Sequence, residues 1–236
     1  MALFLTELRG CTLVASRLEP QLVMFRNNLA DLPAIKLPDG YRLRHFQPGD
    51  EPAWEAIISA SFEEKAAGTF QRRIGSQVAF RAERVKFVTF RGLPVATATA
   101  WHEAQYGPTV GYLHMVGTLP DHRGRHLGMW ASVAALQQHA AEGFSSAVLQ
   151  TDDFRHAAIR VYLKLGFTPL LVHENQRQRW RTVLGSLELS AEQRGAAERW
   201  LAQPIRAVAE LHRHRSAVAW TNKEVEACRG DNEWCD

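Results

Sequence analysis

Two glycines and two arginines stand close together in the stretch PDHRGRHLGMW, residues 120–130. Gly124 and Gly128 are four residues apart, and Arg123 and Arg125 flank the first of them. Glycine lets a bulky anion approach the backbone, and it tolerates turns that aim several amides at one point. If a helix begins here, its unpaired first-turn N–H groups add the positive end of a dipole. The stretch is therefore suited to a phosphate or pyrophosphate.

The spacing of these glycines is not that of the common nucleotide-binding loops. The chain has no G-x-x-x-x-G-K-[ST] and no G-x-G-x-x-G, so it supports neither a P-loop ATPase nor a Rossmann dehydrogenase. A tight strand-to-helix turn with surface arginines would also explain the stretch. On these residues alone, both interpretations stay open.

Two titratable side chains lie on elements predicted next to this turn. Tyr162 belongs to a helix within TDDFRHAAIRVYLKLGF, residues 151–167, and His114 belongs to a strand over residues 109–118. A tyrosine can protonate a leaving group, and a histidine with its unperturbed pKa of roughly 6.5 can accept a proton near neutral pH. A packed core tyrosine and a packed histidine bonded to a neighbour remain the alternatives.

Hydrophobic periodicity predicts the elements that position these residues. The earlier part of the chain reads as a strand over 41–46, a helix after Asp50, a helical stretch over 69–82 and a hairpin of VKFVTF and VATATAW. The strand over 109–118, a helix ended by Gly143 and a strand over 145–151 form a βαβ unit with parallel strands. A helix capped by Gly166 and one more strand follow. The residues thus predict a mixed α/β sheet with helices on both faces.

Together, the turn and the tyrosine helix resemble the GCN5-related N-acetyltransferase (GNAT) superfamily. The first signature, [QR]-x-x-G-x-[GA] after the fourth strand, begins here at Arg123 and ends at Gly128. The second, A-x-x-x-Y-x-x-x-G-F, is carried about 30 residues later by Ala158, Tyr162, Gly166 and Phe167. The resemblance spans about residues 40–175 and implies the acyl-CoA N-acyltransferase fold. That fold is α/β, with a mixed, mostly antiparallel sheet, a parallel βαβ unit and helices on both faces.

The resemblance implies acetyl-CoA as cosubstrate and no metal. Backbone amides of the turn would hold its pyrophosphate beside Arg123, at Gly124, Arg125, His126, Leu127, Gly128 and Met129. The pantetheine arm would pair like an added strand with Val116, Gly117 and Thr118, where this strand and the next splay apart. Tyr162 would be the general acid that protonates the leaving thiolate after direct attack by the amine.

Two positions depart from the family pattern. The middle glycine of the first signature is His126 here, so one amide would be approached past a side chain. Seven residues before the tyrosine, where many relatives have Asn, this chain has Arg155, which could meet a phosphate or the substrate.

A general base is also required, because the attacking amine must be neutral and must lose a proton. His114 corresponds to a strand histidine that serves this role through water in arylalkylamine acetyltransferase relatives. Alternation predicts that Tyr112, His114 and Val116 point to one side of their strand.

Several further polar residues lie near the predicted base or near the expected acceptor pocket. His102 and Glu103 end the neighbouring hairpin strand, and Asp152, Asp153 and Glu174 are weaker candidates for the base. The acceptor pocket is expected around Phe62, Phe70, Trp101 and Glu174, which are as readily core residues as pocket walls.

The implied function is an acetyl-CoA-dependent N-acetyltransferase that acts on a primary amine, with a small molecule as the favoured acceptor. A protein N-terminus or lysine is the first alternative acceptor. A non-catalytic acyl-CoA-binding module is the other alternative, which the departures at His126 and Arg155 keep open.

Composition bounds the class of protein. The 236 residues are 46% hydrophobic and 22% charged, which is typical of a chain that buries a core. A net charge of +3 is too small to indicate a nucleic-acid partner. No apolar run approaches the roughly 20 residues that cross a bilayer, and the first residues lack a secretory signal pattern, so we expect no membrane partner. The three cysteines do not have the number or spacing of a disulfide framework. We expect Cys11, Cys228 and Cys235 to be reduced thiols in a cytoplasmic protein.

The expected domain organisation has three parts. Residues 1–40 are an irregular N-terminal lead-in, residues 41–185 are the acetyltransferase domain, and residues 186–236 are a C-terminal helical extension. A helix in the extension is predicted to be capped by Ser190 and bent near Pro204. The extension is expected to pack on the domain or on a second subunit of a homodimer.

Overall fold

A computed structural model describes residues 20–62 and 66–208. The strands are β1 (Leu22–Arg26), β2 (Tyr41–His45), β3 (Val85–Phe90), β4 (Leu93–Trp101), β5 (Val110–Thr118), β6 (Ser146–Thr151) and β7 (Thr168–Leu170). The helices are α1 (Glu51–Phe62), α2 (Leu127–Ala141), α3 (His156–Lys164), α4 (Gln176–Ser186) and α5 (Ala191–Leu201).

Across the described ranges, the seven strands form one sheet in the order β2-β3-β4-β5-β6-β1-β7. Among the described strands, β5 and β6 are the one parallel pair, and they are joined by α2 as a βαβ unit. One buried cluster lies between the sheet and α1. A second lies on the opposite face, beneath α2, α3, α4 and α5. The predicted fold, a mostly antiparallel mixed sheet with a parallel βαβ unit and helices on both faces, is confirmed.

Strand β1 lies in the segment that the sequence predicted to be an irregular lead-in. It pairs antiparallel with β6 on one side and with β7 on the other. All five of its residues, LVMFR, are buried. A strand that is buried on both faces shows no alternation of apolar and polar residues, so its sequence lacks the period-two signal.

The helical stretch predicted over residues 69–82 is present only in part. A single π-helical turn covers Gln71–Gly75, and a short 3₁₀ turn follows at Ala82–Arg84. The Phe70 ring stacks on Phe46 at 5.0 Å, within the cluster beneath α1. Packing of such side chains against the sheet overrides the local helical periodicity.

The described part of the C-terminal extension packs on the domain. A capping box formed by Ser190 and Gln193 begins α5. The helix ends at Leu201 instead of bending near Pro204, as expected where a proline restricts the residues before it. Trp200, 4% exposed, joins the same buried cluster as α2 and α3. Residues after 208, and all three cysteines, lie outside the described residues.

Candidate active site

The two parallel strands of the βαβ unit separate before they end. Register pairs join β5 to β6 only over Val110–Tyr112 and Ser146–Val148. β5 continues to Thr118 while β6 continues to Thr151, and no register pair links these later residues within the described chain. The strands therefore diverge and leave a gap beside the end of β5.

A β-bulge at Met115 changes the direction of the side chains at the end of β5. Thr99 pairs with His114 and Thr97 pairs with Gly117, so β5 has one extra residue in this interval. Met115 lies at this bulge, and its backbone is in the left-handed region with a φ of 52°.

As a consequence, Tyr112 belongs to the cluster beneath α1, whereas Val116 packs against the cluster on the α2 face. The prediction that Val116 shares a side with Tyr112 and His114 is wrong, because strict alternation ends at a bulge.

The turn before α2 has the backbone conformation that the glycine signature suggests. Gly124 has a φ of 72°, and the position occupied by His126 is also left-handed, with φ 55° and ψ 21°. A glycine adopts this conformation without cost, so the histidine stands where a glycine would fit best. The first-turn N–H groups of α2 have no partners within the helix and point out of its end.

The first turn of α2 lies directly against the end of β5. A Cβ placed on Gly128 would be 3.1 Å from Thr118 Oγ1 and 3.7 Å from Val116 Cγ1. Glycine at this position therefore permits the close approach of helix and strand.

An open cavity of about 420 Å³ is lined by the end of β5, the turn before α2 and α3. The residues predicted from the sequence that line it are Val116, Gly117, Thr118, Arg123, Gly124, His126, Leu127, Gly128, Met129 and Tyr162. The predicted residues that do not line it are His114, Arg125 and Arg155.

Tyr162 projects from α3 towards this cavity. Its side chain is buried, at 7% exposure, and its ring meets Phe167 edge-on at 6.2 Å. Burial raises the pKa of Tyr162 to about 12, against a smaller opposing effect of the Arg155 charge. The hydroxyl is therefore protonated throughout the physiological pH range.

His114 lies on the other side of the sheet from the α2 turn. Its ring is 4.9 Å from the Tyr112 ring and 6.2 Å from the Trp101 ring, in the aromatic cluster beneath α1. Burial, together with the charge of Arg73, lowers the pKa of His114 to about 4. The imidazole is therefore neutral at pH 7 but is a weak base.

Arg155 is engaged by protein groups at the rim of the site. Its Nε donates to Asp152 Oδ2 at 2.8 Å, and a terminal nitrogen donates to the Ser61 carbonyl at 3.0 Å. The guanidinium lies 4.4 Å from the Phe62 ring centroid and 5.1 Å from that of Phe154. These contacts engage the guanidinium with protein groups, and Arg155 is not among the residues that line the cavity.

Arg125 is exposed and braces the turn. It donates to the Asp121 carbonyl at 3.0 Å and to the Arg123 carbonyl at 3.2 Å. Its side chain thus supports the turn conformation, while the neighbouring Arg123 lines the cavity.

The carboxylates considered as bases have other partners. Asp152 pairs with Arg155, and Asp153 accepts two hydrogen bonds from Arg179, at 2.5 and 3.0 Å. Glu174 is exposed. In the described part of the chain, no group of three or more His, Cys, Asp or Glu side chains could hold a metal ion. Within the same part, no helix is long and apolar enough to cross a bilayer.

The residues predicted to form an acceptor pocket are dispersed. Phe70 and Trp101 are core residues, at 1% and 6% exposure. Phe62 is covered by Arg155, and Glu174 is exposed. None of the four lines the cavity beside α2.

Several residues that line the cavity were not predicted from the sequence, namely Ser61, His122, Ala157, Arg160, Val161 and Lys164. Arg160 and Lys164 are four residues apart on α3 and so lie on the same side of that helix, but each is two residues from Tyr162, so helical spacing from the tyrosine could not have indicated them. No sequence signal points to Ser61, because α1 reaches β5 only through the tertiary fold.

Known proteins resemble the part of the chain that builds the cavity. A family model described as the acetyltransferase (GNAT) family matches residues 47–167. The mycothiol acetyltransferase of Thermobispora bispora is 35% identical over 149 residues, which cover 58% of this chain and 50% of that protein. The mycothiol acetyltransferase of Nocardia farcinica is 32% identical over 165 residues, which cover 63% of this chain and 53% of that protein.

A solved structure, the GCN5-related N-acetyltransferase from Kribbella flavida, is 26% identical, with a TM-score of 0.48. It is matched over 64% of this chain and 55% of that chain. The chain spans about half the length of the curated relatives it matches.

Proposed function

Because the chain belongs to the acetyltransferase (GNAT) family, we propose that it transfers the acetyl group of acetyl-CoA to a primary amine of a small molecule. The family match covers residues 47–167, and every residue that lines the cavity falls within this range.

The observation that carries the proposal is the composition of the cavity walls. One wall is the first turn of a helix, which favours a pyrophosphate. A second is the diverging end of β5, where an extended chain such as pantetheine can lie like an added strand. The third wall is α3, which carries Tyr162. Acetyl-CoA has an anionic head, an extended arm and a reactive thioester in this order, so the three walls match its parts.

In the proposed reaction, the amine nitrogen attacks the carbonyl carbon of the thioester. The new C–N bond forms, the C–S bond breaks, and the thiolate accepts a proton. Tyr162 holds its proton until the thiolate develops, since its pKa is about 12. A free thiol has a pKa near 8.5, so full transfer to the thiolate requires that the same buried cavity raises the pKa of the thiol. Otherwise Tyr162 stabilises the thiolate by donating a hydrogen bond.

The nitrogen must lose a proton when the amide forms, and His114 is our candidate for the group that accepts it through water. It is neutral at pH 7 because its pKa is about 4. Since it does not line the cavity, it would act from the acceptor side of the gap between β5 and β6.

The names of the relatives support a small acceptor. The proteins from T. bispora and N. farcinica are named for the acetylation of mycothiol, a small molecule. A protein N-terminus or lysine remains the alternative acceptor for the same site.

The function can be tested by mixing the full chain with acetyl-CoA and a panel of amines. The panel contains small primary amines, a peptide with a free N-terminus and a peptide with an internal lysine. We expect thiol release and a gain of one acetyl group by mass with at least one small amine. Reaction with the peptides alone would favour the alternative acceptor. Binding of CoA without transfer to any amine would indicate a binding module, and no binding would overturn the proposal.

A further inference from the structure

We propose that Arg155 is a positioning residue, which acts through Ser61 to fix the end of β5 that forms one wall of the cavity. The inference rests on the proposed function, because its consequence is measured as affinity for CoA. It assigns to Arg155 a role without direct contact to the cosubstrate.

The contacts of Arg155 join two elements that are distant in the sequence. One end of its guanidinium is held by Asp152, in the loop between β6 and α3, through the 2.8 Å ion pair. Another nitrogen reaches the last turn of α1, where it donates to the Ser61 carbonyl at 3.0 Å. Phe62 and Phe154 flank the same group, so its planar face is supported as well. Arg155 thus holds the end of α1 against the loop that leads into α3.

Ser61 carries this connection into the cavity wall. Its Oγ accepts a hydrogen bond from the backbone N–H of Thr118 at 3.0 Å. A Cβ on Gly117 would lie only 2.7 Å from this Oγ, which shows how closely α1 packs on the end of β5. Both Ser61 and Thr118 line the cavity.

Thr118 in turn contacts the opposite wall. A Cβ on Gly128, in the first turn of α2, would lie 3.1 Å from the Thr118 Oγ1. A chain of contacts therefore runs from Arg155 through Ser61 and Thr118 to the turn that is proposed to hold the pyrophosphate. Hydrogen bonds to charged groups are among the stronger ones in proteins, so the two bonds of Arg155 hold the end of α1 firmly, and the bond from Thr118 to Ser61 passes this constraint to the end of β5.

The experiment measures CoA affinity by calorimetry, which needs no knowledge of the acceptor. Arg155→Met keeps an apolar side chain between the two phenylalanines but removes both hydrogen bonds. We expect about tenfold weaker CoA binding, the scale of one charge-assisted hydrogen bond. Arg155→Lys, which retains the charge without the planar fork, should recover part of the loss.

Arg84 offers a matched control. It also pairs with a carboxylate, Glu142, at 2.5 Å, and also donates to a backbone carbonyl, that of Ala79, at 2.7 Å. Arg84 does not line the cavity. Arg84→Met should therefore reduce thermal stability as Arg155→Met does, but leave CoA affinity unchanged.

A double-mutant cycle separates positioning from general destabilisation. In the background of Ser61→Ala, which lacks the Oγ that holds Thr118, the further change Arg155→Met should weaken CoA binding by less than twofold. Wild-type affinity in folded Arg155→Met and Arg155→Lys would overturn the inference while leaving the proposed function intact. Equal losses from Arg155→Met in both backgrounds, or equal losses in the Arg84→Met control, would also overturn it. Absence of CoA binding by the wild-type chain would remove the proposed function and the inference together.

Discussion

Gly128 lies so close to Thr118 that a Cβ on residue 128 would be 3.1 Å from the Thr118 hydroxyl oxygen. The first turn of α2 and the end of β5 therefore meet without an intervening side chain, at the wall proposed to bind pyrophosphate. A larger or charged side chain at residue 128 must project into this junction or into the cavity.

We expect Gly128→Asp to weaken CoA binding about 10²–10³-fold. A carboxylate about 4 Å from a phosphate opposes binding by about 4 kcal/mol near a protein surface, which sets this scale. Gly128→Ala adds the Cβ without the charge and should cost less than about tenfold. Calorimetric titration of both variants, with circular dichroism to confirm folding, checks the prediction. Unchanged affinity in a folded Gly128→Asp variant would mean that the pyrophosphate binds elsewhere.

Tyr162→Phe should lower kcat while CoA affinity is retained. The substitution removes one hydroxyl and leaves the buried ring and its contact with Phe167 in place. General acid catalysis contributes typically about 10²–10⁴-fold, and we expect a loss near the lower end. The reason is that a phenol with a pKa of about 12 donates a hydrogen bond to a thiolate more readily than it transfers its proton. A loss below about threefold would show that the chemical step does not need this hydroxyl.

The pH profile should separate His114 from the acceptor amine. Because burial lowers the pKa of His114 to about 4, its imidazole is protonated only below that pH, and activity that depends on it should fall there. Between about pH 6 and 9 the group is neutral throughout, so a rising limb in this range belongs to the acceptor and should move with the pKa of the amine.

His114→Ala should therefore lower kcat at every pH above about 5 without removing that limb. Rates measured from pH 5 to 9 with two amines of different pKa provide the check. A limb near pH 6.5 that vanishes in His114→Ala would contradict the lowered pKa, and an unchanged kcat would identify His114 as a packed strand residue.

Arg160 and Lys164 should contribute to recognition of the 3′-phosphate of CoA. Both line the cavity from α3, opposite the turn before α2. Within the described chain, Arg160 Nε is buried without a hydrogen-bond partner, and burial lowers the pKa of Lys164. Two partly desolvated cations favour an anion, and the 3′-phosphate is the remaining anionic group of the ligand once the pyrophosphate is placed.

The wild-type chain should bind 3′-dephospho-CoA about tenfold more weakly than CoA, and this ratio should be smaller in Arg160→Met and in Lys164→Met. Arg181, an exposed arginine on α4, supplies the control, since Arg181→Met makes the same change of charge away from the cavity. A ratio that stays the same in all the variants would place the 3′-phosphate elsewhere.

The sequence by itself determined the parts of this protein that depend on neighbours along the chain. The glycines at 124 and 128, the hairpin and the helix that carries Tyr162 give local signals, because turn conformation and helical spacing are set within a few residues. These signals were sufficient to predict the βαβ unit, the mixed sheet and the resemblance to the family. Through the family resemblance that they carry, they also indicated most of the residues that line the cavity beside α2.

The tertiary structure alone decided what depends on distant residues. Strand β1 carries no alternation because both its faces are buried, and the bulge at Met115 redirects Val116 without a glycine to mark it. Arg155 donates a hydrogen bond to Ser61, which is 94 positions away along the chain. The pKa of His114 falls to about 4 because the fold surrounds the imidazole, which the residue type cannot reveal. Burial, long-range hydrogen bonds and strand register arise only when the elements pack, so they determine which groups are available for chemistry.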